Sequence, residues 1–298
     1  MILVVGATGQ LGGLITRTLL DQGKRVRILV RGSSPYDHLV AAGAEPVTGD
    51  LKEAGSLPAC CSGVESIVTT ANSALRGGDD TVESVDLNGN RNLIDAATAA
   101  GVRQFVFISA LGASPDSPVP FLRAKGEAEQ RLHDSGTSWT VLRPNAFMDV
   151  WFPAVVGGPA LAGQPVTLVG EGRRRHSFVA MRDVAAYAVA ALDQEAKDQT
   201  LSIGGPDPVS WWDVIAAFNQ ELGRELPVRS VQPGQAVPGL PDSMTQLLAA
   251  METYDSPIDS SELARTYGVT PTSAADFVRG FLTSNRQGSP GAGNGAAL

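Results

Sequence analysis

The amino-acid sequence predicts an α/β fold built on a doubly wound parallel sheet. Two observations support this prediction. Short β-rich segments recur with room for one helix between each pair, at residues 2–5, 26–30, 45–48, 66–70, 104–109 and 139–142. Apolar residues between these segments follow helical spacing, most clearly over 79–100 and 120–133. This alternation is typical of a parallel sheet that carries helices on both faces.

The chain begins with its most informative segment, MILVVGATGQLG, in which an apolar run meets three glycines. Gly6 lets the chain turn tightly off the first strand, Gly9 lets the backbone approach a phosphate, and Gly12 lets the next helix pack closely. Free amides at the start of that helix face the anion. Because a second strand closes a βαβ unit of about 30 residues, the segment predicts a Rossmann dinucleotide-binding site.

The sequence also predicts how the chain divides. Residues 1–150 form the nucleotide-binding domain, with 177–203 returning to its sheet. Beyond Pro144 the spacing becomes irregular and the Pro and Gly content rises, which predicts a smaller substrate-side lobe over 151–285. We expect this lobe at the carboxyl ends of the strands, where open α/β sheets bind ligands. Segment 286–298 has almost no bulky apolar residue and is expected to be a disordered tail.

Composition argues against several classes of protein. A net charge of −8 over 298 residues opposes broad binding to nucleic acid. No apolar run reaches the roughly 18 residues of a membrane span, and the nucleotide turn begins too near Met1 for a signal peptide to fit before it. A cytoplasmic protein without membrane or nucleic-acid partners is expected. Cys60 and Cys61 are adjacent and lack spaced Cys or His partners, so we expect no metal site.

The end of the second strand favours NADP over NAD. NAD-binding folds place a carboxylate there, about 20 residues past the glycines, to hold the adenosine ribose. This chain has Arg31 and Ser33 instead. A guanidinium suits a 2′-phosphate, although a solvated strand-end charge is the alternative. Asp50 follows the third strand, where it could meet the adenine amino group or cap the next helix.

Five motifs resemble the short-chain dehydrogenase/reductase superfamily, and together they resemble its atypical NmrA-like branch. They are GATGQLGG at the start, VRGSS after the second strand, TGDL after the third, ISALGA after the fifth and RPNAFM after the sixth. The resemblance is good from Met1 to about Phe147, continues through Asp183 and fades after about residue 230. That branch includes isoflavone-reductase-like and quinone-reductase-like enzymes and also nucleotide-binding redox sensors, so the resemblance implies an NADP(H) cofactor.

The superfamily's usual acid–base motif is Tyr-x-x-x-Lys, and this chain has Phe121 and Lys125 at those positions. A phenyl ring cannot donate a proton, so the tyrosine mechanism is absent. The resemblance implies that Lys125 holds the nicotinamide ribose; a proton relay is a further hypothesis, and a surface pair with Glu129 is the alternative. Ser109 is a candidate to hydrogen-bond a substrate carbonyl or merely to cap its strand. His176 is a candidate replacement for the missing proton donor.

The residues expected to contact the cofactor lie in the glycine turn, at the ends of the second, third, fourth and sixth strands, and at the motif lysine. They are Gly6, Thr8, Gly9, Gln10, Leu11, Gly12, Arg31, Ser33, Asp50, Leu51, Thr70, Ala71, Asn72, Lys125, Pro144 and Asn145. Beyond them, Phe147, Met148, Trp151 and Phe152 form an apolar cluster. Such clusters are more often core, but one that lined a pocket would suit a flat aromatic substrate.

These features predict an NADPH-dependent oxidoreductase that passes hydride to a small carbonyl, enone or quinone-type substrate. The alternative is a non-catalytic NADP(H)-binding redox sensor of the NmrA type, which the phenylalanine at position 121 favours. A structural assembly factor on the same fold stays open. The expected partner is a small-molecule substrate, and the expected state is a monomer or homodimer.

Overall fold

The computed structural model describes residues 1–32, 34–74, 76–193 and 198–288, which form two compact units. The first unit contains Met1–Asn145, Met181–Gly204 and Ser260–Thr270. The second contains Ala146–Ala180, Gly205–Asp259 and the described residues from Pro271 onward.

The described strands and helices have the following bounds. The strands are β1 (Ile2–Val5), β2 (Val26–Val30), β3 (Glu45–Thr48), β4 (Ser66–Thr69), β5 (Gln104–Ile108), β6 (Ser138–Pro144), β7 (Val166–Val169), β8 (Gln199–Ile203) and β9 (Val228–Val231). The helices are α1 (Gln10–Asp21), α2 (Asp37–Ala41), α3 (Leu57–Cys61), α4 (Asn90–Ala99), α5 (Pro120–His133), α6 (Met148–Phe152), α7 (Gly158–Leu161), α8 (Met181–Asp193), α9 (Trp211–Leu222), α10 (Asp242–Met251), α11 (Ser261–Tyr267) and α12 (Ala274–Gly288). Within the described ranges, none of these helices combines the length and apolar character needed to cross a membrane.

The sheet of the first unit is parallel throughout, with strand order β3-β2-β1-β4-β5-β6-β8. This confirms the predicted doubly wound fold. β1 pairs with β2 on one side and with β4 on the other, so the chain reverses its direction of winding between β1 and β4. In open α/β sheets, a ligand binds at such a point, beyond the carboxyl ends of the two strands.

Successive side chains of the central strands point to opposite faces of this sheet, and both faces are buried. Leu3 and Val5 join one core cluster with Ile94 of α4 and Leu132 of α5. Val4, which points the other way, is also fully buried. Helices α1 and α8 pack against each other, and α8 contacts β5 and β6. The strands therefore read as continuous apolar runs because helices cover both faces.

The predicted helix over 79–100 is helical from Val82 onward, but its first half is a π-helix and not an α-helix. The structure has a π-helical segment, Val82–Gly89, followed by α4. The Asn90 side-chain amide donates to the backbone carbonyls of Val85 and Asp86, at 3.2 and 3.1 Å. A side chain inserted among backbone carbonyls in this way accompanies a widened turn. Apolar spacing gives no sign of it, because the widening depends on one amide rather than on periodicity.

The second unit has a small parallel pair, β7 with β9, and a core rich in aromatic rings. Phe152 and Phe178 pack edge to face with their ring centroids 5.1 Å apart. Its last helix, α12, extends to Gly288, so the first part of the predicted tail is helical. The remainder of that prediction, 289–298, lies outside the described residues.

Gly126 of α5 is packed against backbone, so we expect Gly126→Ala to destabilise the protein. An added Cβ would lie 2.3 Å from the Ser114 carbonyl carbon and 2.5 Å from the Pro115 nitrogen. Such overpacking costs about 1–3 kcal/mol of unfolding free energy. Gly280 of α12 is the matched control, because its added Cβ meets nothing within 4 Å. Gly280→Ala should stabilise by up to about 1 kcal/mol. Urea unfolding measures the unfolding free energy of both variants, and an equal change in the two would contradict this packing.

Candidate cofactor site

The junction between β1 and α1 leaves no room for a side chain at Gly6 or Gly12. Gly6 has φ of +84°, and a Cβ there would lie 2.5 Å from the Thr70 hydroxyl oxygen. A Cβ on Gly12 would lie 2.2 Å from the Gly6 carbonyl oxygen. The Gly9 amide donates to that same carbonyl at 3.0 Å. The first turn of α1 is therefore held directly against the end of β1.

The first turn of α1 suits an anion. Gly9 is its N-cap and makes no side-chain hydrogen bond to the turn, which also contains no acidic residue. The amides of the first turn are thus uncapped by any side chain, and the positive end of the helix dipole faces the same way. Gln10 is exposed at this end, whereas Leu11 is buried beneath it.

An open cleft beside this turn collects residues from several strand ends. Its lining consists of Val5, Gly6, Thr8, Leu29, Arg31, Ser34, Asp50, Leu51, Ala71, Asn72, Arg76, Asp80 and Val85. The cleft therefore brings together predicted residues from the glycine turn and from the segments after β2, β3 and β4. The Thr70 hydroxyl donates to the Val5 carbonyl at 3.3 Å and so holds β4 to β1. Ser33 lies outside the described residues.

Three cations meet one carboxylate at the edge of this cleft, and we call Arg31, Lys52, Arg76 and Asp80 the Asp80 cluster. Arg31, Arg76 and Asp80 line the cleft itself. Arg31 Nη1 donates to both Asp80 oxygens, at 3.1 and 2.8 Å, and Lys52 Nζ donates to Oδ1 at 2.9 Å. Arg76 Nη1 lies 3.7 Å from Oδ2. The hydrogen bond from Lys52, together with Arg31, lowers the pKa of the Asp80 carboxyl. Asp80 is therefore an anion at neutral pH.

Sequence analysis found Arg31 but missed its three companions. Lys52 directly follows the TGDL motif, which was the one available signal, while Arg76 and Asp80 lie in a loop without a motif. Asp50 mainly shapes its own turn, because its carboxylate accepts from the Lys52 amide at 2.9 Å. Its contact with adenine stays a prediction.

Lys125 is almost fully buried and donates inward. Its Nζ lies 3.1 Å from the Ala71 carbonyl oxygen, 3.5 Å from that of Ile108 and 3.4 Å from Asp86 Oδ1. The ring of Phe121 faces the same ammonium at 5.7 Å. Burial lowers the pKa of Lys125, and Asp86 opposes that shift. Lys125 thus pairs with Asp86, not with Glu129, and fixes the backbone at Ala71 in the cleft wall.

Asp86 is the buried partner that sequence analysis missed. Its other oxygen accepts from the Ser73 amide at 3.0 Å and from the Ser73 hydroxyl at 2.6 Å. The π-helical segment places this carboxylate where its side chain is wholly buried. Ion pairing and hydrogen bonds therefore compensate for its desolvation.

Ser109 and Glu129 belong to a second buried network. The Ser109 hydroxyl donates to Glu129, and Arg143 of β6 forms a two-pronged ion pair with the same carboxylate. Nearby, the Asn145 amide donates to the Ile203 carbonyl at 2.9 Å, and the Pro144 carbonyl accepts from Leu111 at 3.0 Å. The substrate and nicotinamide contacts expected of Ser109, Pro144 and Asn145 stay predictions.

His176 lies in the second unit with both ring nitrogens engaged. Nδ1 is 2.7 Å from the Ser256 hydroxyl, and Nε2 is 3.2 Å from the Met251 carbonyl. Because a carbonyl can only accept, Nε2 carries the proton and Nδ1 accepts from Ser256. Both ring nitrogens are thus engaged within the protein, and a proton-donor role for His176 stays a prediction. In the same unit, Met148, Trp151 and Phe152 are buried in the core cluster, which corresponds to the core alternative for the apolar cluster.

A family model described as NAD(P)H-binding matches residues 6–195. The chain belongs to this NAD(P)H-binding family. The curated relatives of this family member include an NAD(P)H azoreductase of Xenophilus azovorans, 34% identical over 261 residues that cover 84% of this chain and 86% of that protein. They also include the photosystem II assembly factor Ycf39 of Cyanophora paradoxa, 32% identical over 77% of this chain and 71% of that protein.

Solved structures share the fold of this NAD(P)H-binding protein. An NADPH-dependent quinone oxidoreductase of Escherichia coli, complexed with NADPH, has 22% identity and a TM-score of 0.80 over 95% of this chain and 100% of that one. A triphenylmethane reductase of Citrobacter sp. has 21% identity and a TM-score of 0.81 over 95% and 99%. The predicted membership of the NmrA-like dehydrogenase/reductase branch is confirmed, and the family match confirms an NAD(P)H-type cofactor. The preference for NADP(H) over NAD(H) stays a prediction.

The residues of the cleft fit such a cofactor. Gly12 lets α1 begin directly against the backbone of Gly6, and the uncapped amides of its first turn favour a pyrophosphate. The Asp80 cluster gathers three cations, from the segments after β2, β3 and β4, near the end of β2, where a 2′-phosphate is expected. A pyrophosphate and a 2′-phosphate would thus each meet positive charge.

The Lys125–Asp86 pair should behave as one buried unit. Lys125→Met leaves a buried carboxylate without its cation, and we expect a loss of about 3–5 kcal/mol in unfolding free energy. Adding Asp86→Asn should recover most of that loss, because both charges are then gone. Lys24→Met, which breaks the exposed pair with Asp193, is the control and should change little. Denaturant unfolding tests this, and a double variant as unstable as Lys125→Met would exclude the pairing as the cause.

His176 should make stability depend on pH. Burial lowers the pKa of His176 below its usual 6.5. The Met251 carbonyl and Asp255 oppose this shift, and Arg174 adds to it. The unfolded chain then takes up the proton first, so stability falls as pH drops through about 6.5 towards the folded pKa. His176→Gln should flatten this dependence in thermal unfolding between about pH 7 and 5. The control His38→Gln changes an exposed histidine and should retain the pH dependence of stability. The same pH dependence in both variants would contradict its assignment to His176.

Proposed function

We propose that the chain is an NADPH-dependent reductase that transfers hydride to a small quinone-type, enone or carbonyl substrate. The observation that supports this is one cleft in which the glycine turn and the Asp80 cluster meet. When bound, NADPH supplies the hydride, and the chain supplies position and electrostatics. The azoreductase relative and the quinone and triphenylmethane reductase neighbours are named for the reduction of conjugated acceptors, which supports that substrate class.

The environment of Lys125 favours acceptors that need no acid from the protein. Phe121 has no proton to give, and the Lys125 ammonium is buried and directed to two backbone carbonyls and Asp86. A ketone that receives hydride becomes a strongly basic alkoxide, which requires a proton donor in place. A quinone that receives hydride becomes a phenolate, which persists until water protonates it. We therefore favour quinone-type acceptors over simple ketones, with Lys125 as a positioning residue.

A non-catalytic role is the second candidate, because curated relatives include photosystem II assembly factors. The reductase is preferred, since the azoreductase relative matches more of the chain at higher identity. A redox sensor receives no support from the names of these relatives. The cytoplasmic compartment and the monomer or homodimer stay predictions.

The purified protein should oxidise NADPH when a quinone is present and use NADH less well. The measurement is the loss of reduced-nicotinamide absorbance with a panel of quinones, an azo dye and a simple ketone. We expect the quinones to be reduced at least about tenfold faster than the ketone, which amounts to about 1.4 kcal/mol in barrier height. Reactions without acceptor are the control. NADPH binding with no oxidation by any acceptor would favour the assembly-factor or sensor role.

A further inference from the structure

The Asp80 cluster already contains an anion where the cofactor's 2′-phosphate is expected. The Asp80 side chain is only 8% exposed, whereas Arg31, Lys52 and Arg76 are each about one-third exposed, at 35%, 28% and 34%. The carboxylate thus lies on the inner side of three cations that remain open to solvent. Arg31, which follows β2, and Lys52, which lies four residues beyond β3, both donate hydrogen bonds to this one carboxylate.

The three cations require an anion between them. Arg31 repels Lys52 and on its own would lower the lysine pKa, whereas the hydrogen bond to Asp80 raises that pKa overall. Asp80 supplies one negative charge to three positive ones, and the Asp50 carboxylate lies farther off, with its Oδ2 4.0 Å from Lys52 Nζ. A phosphate monoester carries about −1.5 to −2 at neutral pH and three acceptor oxygens. It therefore satisfies the same cations better than one carboxylate does.

Asp80 lies in a loop whose backbone can rearrange at low steric cost. Gly77 and Gly78 have φ of +71° and +62°, and the Asp80 amide makes a long 3.3 Å hydrogen bond to the Gly77 carbonyl. Glycine adopts left-handed and right-handed conformations about equally well. Thr81 then begins the capped helical segment. The side-chain contacts of Asp80 hold this loop against the ends of β2 and β3.

We propose that Asp80 is a specificity-determining residue that occupies the 2′-phosphate subsite and competes with NADPH for Arg31, Lys52 and Arg76. NADH has no 2′-phosphate and leaves the Asp80 contacts in place. Asp80 therefore lowers the preference for NADPH over NADH below what three cations alone would give. This inference rests on the proposed preference for NADPH.

Two nucleotide probes test the competition without any turnover. Calorimetric titration with 2′,5′-ADP, which carries the extra phosphate, is compared with 5′-AMP, which lacks it. Asp80→Asn keeps the shape of the side chain and removes its charge. It should tighten 2′,5′-ADP by about tenfold or more and change 5′-AMP little. Asp79→Asn is the matched control, because it removes the same charge from the exposed neighbouring residue. It should change neither probe by more than about twofold.

Three results for Asp80→Asn would overturn the proposal: weaker 2′,5′-ADP binding, unchanged binding, or equal tightening of both probes. If that variant does not fold, Lys52→Gln takes its place, with Lys24→Gln as control. Lys52→Gln should weaken 2′,5′-ADP by about tenfold and leave 5′-AMP unchanged; unchanged 2′,5′-ADP binding would also overturn the proposal. Wild-type protein that binds neither probe would exclude the nucleotide site itself. If the wild-type protein binds both probes but oxidises no NADPH in the separate activity assay, the proposed reductase function is contradicted and the proposed role of Asp80 is not.

Discussion

The contact between the start of α1 and the turn after β1 is the constraint on which the nucleotide site depends. Backbone meets backbone there, with Gly12 placed so that any Cβ would overlap the Gly6 carbonyl. Packing this close directs the first-turn amides of α1 into the cleft and leaves the surface of the turn bare. Because the sheet changes its direction of winding beside β1, the same contact lies at the position where parallel sheets bind ligands.

Charged groups near the cleft divide into two kinds by their burial. Lys125 with Asp86, and Glu129 with Ser109, are buried and interact with protein groups, so they hold the segments that follow the central strands in place. The cations of the Asp80 cluster are partly exposed and meet at the Asp80 carboxylate, with Asp50 also 4.0 Å from Lys52. Buried ion pairs are costly to break, whereas partly exposed cations can replace one anion with another at lower cost. The Asp80 cluster is therefore suited to a ligand that binds reversibly.

The burial of Lys125 also limits which reactions the cleft could catalyse. The lysine of the family motif is held by Ala71, Ile108 and Asp86, and the neighbouring phenylalanine ring has no exchangeable proton. A chain with this arrangement orients reactants and stabilises charge, but it does not present an acid from the usual motif. For the proposed reductase, quinone-type acceptors match these properties, because a quinone that receives hydride becomes a stable phenolate.

The sequence alone determined the parallel sheet, the glycine turn, the helix α5 and the position of Arg31, because each depends on spacing or turn chemistry over a few residues. Tertiary structure alone decided which charges meet. Asp86 reaches Lys125 through a π-helical turn that apolar periodicity does not encode, and Asp80 joins Arg31 from 49 positions along the chain. Pairing of this kind depends on how loops fold over strand ends, and no local pattern records that. The sequence therefore specified the glycine turn expected to hold the cofactor. The folded chain specified the carboxylate, Asp80, that is proposed to compete with the 2′-phosphate.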